Sequence, residues 1–145
     1  MNRNRWQKDS RGFTLIELMV VVVILGLLAA FVAPKFFGKL STAKVKAAKV
    51  QIEMFGTALD GFRLDVGRYP TTEEGLKALR EKPSGVDKWE GPYLPKEIPL
   101  DPWGNAYVYR SPSEYGDYDI VSYGLDKAEG GEGENQDVVS WKDVK

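Results

Sequence analysis

Between Phe13 and Ala33 the chain runs 21 residues with only Thr14, Glu17 and Gly26 interrupting an apolar series. As a helix, that stretch covers roughly 30 Å, the thickness of a bilayer's hydrocarbon core. A buried helix of a soluble protein is the competing reading, and the length of the run argues against it. The exception inside the run is Glu17, about one turn from its start. An ionisable side chain is costly in lipid unless a partner neutralises it, so Glu17 is a functional residue by default. Snorkelling toward the headgroups is the alternative.

The rest of the 145-residue chain leaves room for one small domain. Cysteine and histidine are both absent, which excludes disulfides, thiolate and imidazole metal sites, and histidine-based catalysis. Charge is unevenly spread. Arg3, Arg5, Lys8 and Arg11 outnumber Asp9 ahead of the apolar run, and Lys35, Lys39, Lys44, Lys46 and Lys49 come after it with no acid among them. Residues 51–145 then hold 19 acids against 11 bases. An acidic outer domain on a basic stem argues against nucleic acid as a partner and favours self-association. The basic leader stays in the cytoplasm by the positive-inside rule, giving a single-pass protein. An ordinary signal peptide would have a shorter apolar region and a small-x-small cleavage site, and residues 28–33 contain no Ala-x-Ala.

At the junction, Arg11-Gly12-Phe13-Thr14-Leu15-Ile16-Glu17 resembles the class III leader site of type IV pilins and type II secretion pseudopilins. The resemblance implies that a prepilin peptidase cuts between Gly12 and Phe13 and methylates the new N-terminus at Phe13. It also implies that Glu17 meets the positively charged N-terminus of a neighbouring subunit during assembly. A charge in low dielectric needs such a compensating charge close by.

Pro34 should interrupt the helix, since it lacks an N–H and clashes with the preceding turn. Yet Val45, Ala48, Ile52, Phe55, Leu59, Phe62 and Val66 succeed it at alternating spacings of three and four, the stripe of an amphipathic helix. The expectation is one long helix from Phe13 to about Val66, kinked at Pro34. The resemblance adds Gly26, since in that family the filament is often locally unwound between this glycine and the proline. The stripe reads as core packing and the lysines of 35–49 as a solvated face, with contact to acidic neighbours as the second use.

In the head, Gly67-Arg68-Tyr69-Pro70 closes the helix, and Thr71-Thr72-Glu73-Glu74 is a capping box opening a short helix that carries Leu76 and Leu79 and ends at Pro83-Ser84-Gly85. Residues 89–102 read as a loop with an apolar underside, and Trp103 as a core anchor. Strands are expected at about 105–110 and 117–123, with a third, short one at 138–141. The fold class is therefore α+β: a long kinked N-terminal helix, transmembrane then amphipathic, packed on a small antiparallel sheet. Its segments are a basic leader (1–12), a spanning helix (13–33), an amphipathic stem (34–67) and a head (68–145). The stretches 69–76 and 100–107 resemble signature segments of the major pseudopilins of type II secretion, narrowing the likeness to one branch of the pilin-like group.

From Gly124 to Asp137 the chain has four glycines and five acids, and such a loop is expected to be mobile unless something binds it. Carboxylate and carbonyl oxygens suit Ca²⁺, but the spacing is not an EF-hand, so composition leaves a bound ion and a solvated acidic loop both open. The resemblance implies one structural Ca²⁺ here, held by the side chains of Asp126 and Asp137 and the backbone oxygen of Tyr123. Glu129, Glu132, Glu134 and Asn135 compete for the remaining places. Lys127, beside Asp126, departs from the usual pattern of the family.

Three functions are compatible with these readings. The first, implied by the resemblance, is a non-enzymatic subunit of a periplasmic pseudopilus that helps drive folded proteins out across the outer membrane. Its partners would be other copies of itself, minor pseudopilins, the prepilin peptidase, the inner-membrane assembly platform and the lipid bilayer. The second is a type IV pilus subunit serving adhesion, motility or DNA uptake, although many such pilins close their C-terminal region with a disulfide that this chain cannot form. The third is a membrane-anchored hydrolase using a carboxylate pair such as Asp117 and Asp119, which needs both groups in one cleft.

Overall fold

The computed structural model describes residues 12–143. A single α-helix, α1 (Leu15–Val66), precedes two short 3-10 helices (Leu76–Leu79 and Gly133–Asn135) and three strands, β1 (Val108–Arg110), β2 (Asp119–Ser122) and β3 (Val138–Val139). The chain divides into two compact units between Phe37 and Gly38, a boundary that α1 itself crosses.

The first unit is the apolar part of α1. Its best 18-residue window has a mean hydropathy of 3.0, and none of that window is buried within the protein. A helix that exposes Leu, Ile, Val and Phe around its whole circumference is built for a lipid or protein surround. Helical structure continues through Gly26 and Pro34 without a break. Proline forfeits one backbone bond here, and the neighbouring turns on both sides hold the helix.

The second unit is organised around the amphipathic half of α1. Val45, Ala48, Ile52, Phe55, Leu59 and Phe62 are buried, as is Ala58 beside them, and Val66 packs at the edge. Against this stripe lie Leu76, Ala78 and Leu79 from the first 3-10 helix, Val86 and Leu94 from the long loop, and Tyr107, Tyr109, Ile120 and Val138 from the sheet. The Tyr107 ring meets Phe55 edge-on at 5.1 Å, and Tyr93 meets Phe62 at 5.7 Å. Trp103 packs against this core while staying half-buried.

The sheet is antiparallel in the order β1-β2-β3, with Tyr109 opposite Ile120 and Ser122 opposite Val138. Its strands are shorter than the alternation of side chains suggests. Residues 105–107 drop out of β1 because Asn105 is bound into the turn before it, its N–H and C=O both engaged by Asp101. Pro112 then removes a donor just past Arg110. Asp117 and Tyr118 precede β2 rather than belonging to it, and β3 ends at Val139 because the Ile120 N–H turns to the Ser140 hydroxyl.

The capping box forms as its sequence demands: Thr71 N donates to Glu74 Oε2 at 2.8 Å and Glu74 N to Thr71 Oγ1 at 3.2 Å. The box opens into a turn and a four-residue 3-10 helix rather than an α-helix. Gly75 explains the difference, since its φ of 60° and ψ of −168° take the chain out of helical space directly after the box. The segment therefore ends at Leu79, before Pro83-Ser84-Gly85 is reached.

Candidate functional site

Two regions carry the residues singled out by the sequence: the start of α1 and the acidic loop. Gly12, Phe13 and Thr14 have no regular structure, and Phe13 is 89% exposed, so the peptide bond after Gly12 lies open. Arg11 and the rest of the leader lie outside the described residues. Glu17 sits in the first turn of α1 and folds back on the residue that caps it. Its Oε2 accepts Thr14 N–H at 2.8 Å and the Thr14 hydroxyl at 3.0 Å, while Glu17 N donates to Thr14 Oγ1 at 3.2 Å. That is a second capping box, Thr-x-x-Glu, inside the apolar run. Oε1 of Glu17 has no hydrogen bond among the described residues.

The acidic loop is tied down by polar contacts where the sequence offers no apolar anchor. Leu125 N–H donates to the Glu134 carbonyl at 2.8 Å, and Asn105 Nδ2 to the Gly124 carbonyl at 2.9 Å. Gly124 has a φ of 64°, and a Cβ placed on it would lie 2.6 Å from the Glu134 carbonyl oxygen. Glu134 pairs with Lys44 of α1 at 3.2 Å. Lys49 donates to the carbonyls of Val139 at 3.1 Å and Lys142 at 2.7 Å. These two lysines hold the C-terminal segment on the helix and are not merely a solvated face.

Tyr123 sits directly after β2, at the loop's entrance, and Asp137 directly before β3, at its exit. Asp126 Oδ1 accepts Ala128 N–H at 3.1 Å, and Asp137 Oδ2 accepts Gly130 N–H at 2.8 Å. The other carboxylate oxygen of Asp137 is buried with no hydrogen-bond partner. Burial raises this carboxyl above the ordinary aspartate value, and the charges of Glu129 and Asp126 push it the same way. The orphaned, desolvated oxygen is a hard donor of the kind Ca²⁺ takes, and Glu129 and Asp126 lie near enough to act on it electrostatically. Glu134 is drawn to Lys44, and Glu132 and Asn135 are exposed around the second 3-10 helix. No group of three acids closes into a cage among the described residues.

Asp117 and Asp119 do not share a cleft. Asp117 is exposed and pairs with Arg63 at 3.3 Å, whereas Asp119 is 5% exposed and accepts the Ser113 hydroxyl at 2.8 Å. They are not the neighbours on one strand face that a hydrolytic pair requires, because the strand begins only at Asp119. A cavity of about 260 Å³ covers the outer side of the sheet, roofed by Tyr115 stacked on Trp141 at 4.3 Å.

A sequence profile of the prokaryotic N-terminal methylation motif matches residues 7–33. A second, for the protein G family of the type II secretion system (T2SS), matches residues 35–141. The chain belongs to the protein G family. It is 44% identical to the type II secretion system core protein G of Pseudomonas aeruginosa, the match covering 93% of this chain and 97% of that one. The Vibrio cholerae core protein G is 47% identical over 92% and 93% of the two chains, and the Escherichia coli protein 42% over 90% of each. The crystal structure of the major pseudopilin from the type 2 secretion system of enterohaemorrhagic Escherichia coli superposes with a TM-score of 0.61. It is 34% identical, with 72% of this chain and 91% of that one covered. The pilin-like architecture expected from the sequence is the one found.

Proposed function

We propose that this protein G family member is the major structural subunit of a periplasmic pseudopilus, which polymerises to help move folded proteins across the outer membrane. The observation that carries the reading is the joining on one chain of an N-terminal methylation motif and a protein G profile. Residues 13–33 hold the subunit in the inner membrane before assembly, with the leader in the cytoplasm and the head in the periplasm. Hydrolysis of the Gly12–Phe13 bond frees an amino group at Phe13, next to the Thr14–Glu17 box. The Glu17 carboxylate is already oriented by Thr14 through one oxygen, and its second oxygen is left for the ammonium group of the next subunit. In low dielectric that ion pair strongly selects the partner and its axial position. The role is structural.

Calcium belongs to the same proposal. Asp137 Oδ1, the Asp126 side chain and the backbone oxygen of Tyr123 would hold one Ca²⁺, with Glu129 next in line. The ion would tie the exit of the acidic loop to its entrance. Without disulfides, such a tie is the strongest staple open to a domain of this size.

The test is removal of the chain from its host. Loss of protein secretion with surface pili intact supports the pseudopilus; loss of pili with secretion intact supports the type IV pilus reading instead. Restoring the chain with Glu17→Ala is expected to leave leader cleavage unchanged and to abolish polymerisation. Normal filaments from that variant would refute the charge-pairing role.

A further inference from the structure

Of the five lysines between Pro34 and Val50, two are engaged by the head. Lys44 pairs with Glu134, and Lys49 donates to the carbonyls of Val139 and Lys142. Lys35, Lys39 and Lys46 are exposed, and none is in an ion pair among the described residues. Local pairing is denied them too, because the chain carries no acid between Glu17 and Glu53. Spacings of four and seven put these three lysines on one face of α1. They stand on the unfavourable side of the apolar run, where lysines oppose the orientation set by the basic leader. Held there against that bias, they call for a counter-charge from outside the chain.

The apolar surface shows where that counter-charge lies. It continues past Ala33 to Phe36 and Phe37, 63% and 66% exposed, whose rings meet edge-on at 6.3 Å. Hydrocarbon contact therefore reaches about one turn beyond Pro34, and Lys35 starts inside it and must extend its stem outward. Lys39 follows four residues later, and a helical side chain leans toward the helix N-terminus, here back toward the bilayer. Both ammonium groups thus converge on the headgroup layer, which is about 5–8 Å thick. Lys46 is seven residues beyond Lys39, about 10 Å further out, and clears that layer. We infer that Lys35 and Lys39, with Phe36 and Phe37 between them, form a collar that binds the phosphate groups of anionic phospholipids in the outward-facing leaflet. The rings sit at the acyl boundary, and the two ammonium groups meet lipid phosphates just above it. The inference rests on the membrane-anchored subunit proposed above and adds the lipid that it selects.

The test uses the full-length chain in bilayers of phosphatidylethanolamine with a minor share of phosphatidylglycerol, a trace of either lipid being spin-labelled on its acyl chain. The spectrum separates lipids immobilised against the helix from free ones, and so reports the preference for one headgroup over the other. The parent is expected to prefer phosphatidylglycerol. Near an anionic surface each lysine adds about fivefold in local affinity. Averaged over the ring of lipids around one helix, Lys35→Gln with Lys39→Gln should lower that preference about twofold to fivefold. Lys46→Gln should leave it at the parent's value, and Lys35→Arg with Lys39→Arg should retain it. A double glutamine variant equal to the parent overturns the collar and leaves any preference to the basic leader. An equal loss in Lys46→Gln overturns it as well, since depth would then count for nothing. If neither lipid is immobilised, the membrane anchor falls with the collar.

Discussion

Asp101 illustrates how much one residue fixes in this head. It is 4% exposed, with Oδ1 accepting the N–H groups of Trp103 at 3.0 Å and Asn105 at 2.8 Å, and Oδ2 accepting the Ser122 hydroxyl at 2.6 Å. The Asp-Pro-Trp-Gly turn is thereby bolted to β2. Asp101→Ala strands three donors and is expected to cost about 3 kcal/mol, read as a lowered midpoint in denaturant; a change under about 0.5 kcal/mol would contradict this network. Glu74 gives a pH signature. The forked bond from Arg68, at 2.6 and 2.7 Å, holds its carboxyl below the ordinary glutamate value despite burial. A depressed folded-state pKa adds stability above the unfolded value of about 4.3 and loses it as pH falls through the folded value. The melting-temperature gap between the parent and Glu74→Gln should therefore be full near neutrality and close under acid conditions. The Thr71–Glu74 box is legible in the sequence because its pattern is local. Thr14–Glu17 has the same pattern and is easily overlooked, because an apolar run draws attention to Glu17 as a charge rather than to Thr14 as its cap. The pair Lys44–Glu134 joins residues far apart in sequence, and no local pattern announces it.

At the scale of elements, periodicity speaks most clearly where burial is one-sided. The core stripe of α1 obeys the 3-and-4 spacing from Val45 to Phe62, and Leu59, wholly buried, should lose about 2–5 kcal/mol on change to alanine. The strands lie where alternation puts them but are shorter, since side-chain alternation does not reveal that Asn105 is held in a turn or that Ser140 intercepts the ladder. The 3-10 helix after the capping box is hard to read in advance because the stop signal, Gly75, lies inside the expected helix rather than at its end. Composition reveals the acidic loop but not its anchoring to Lys44, Asn105 and its own backbone. Gly124→Ala puts a methyl group 2.6 Å from a carbonyl oxygen at a φ of 64°. It is expected to cost about 1–3 kcal/mol and to loosen this loop selectively, seen as faster amide exchange over 124–137. Asp137→Asn tests the ion. The parent, solubilised in detergent, should melt higher with added Ca²⁺ than with chelator, and the variant should melt alike in both. A parent indifferent to Ca²⁺ would remove the ion from the proposal.

Taken whole, the molecule separates its tasks along the sequence: an apolar stretch up to Phe37 with no buried residue among those described, and a unit from Gly38 whose core is built on the same helix. Charge is divided at a different point, basic on either side of the apolar run and acidic from residue 51 on, which suits the proposed subunit. Fold class is readable because one feature, an apolar run with a lone glutamate behind a basic leader, admits few architectures. The central claim is that the chain is a precursor processed at one bond and then assembled. Its most direct test is the intact mass of the protein extracted from membranes of a host with an active prepilin peptidase. The account predicts a chain beginning at Phe13 and carrying one extra methyl group. A chain that still carries Met1 to Gly12 would contradict it.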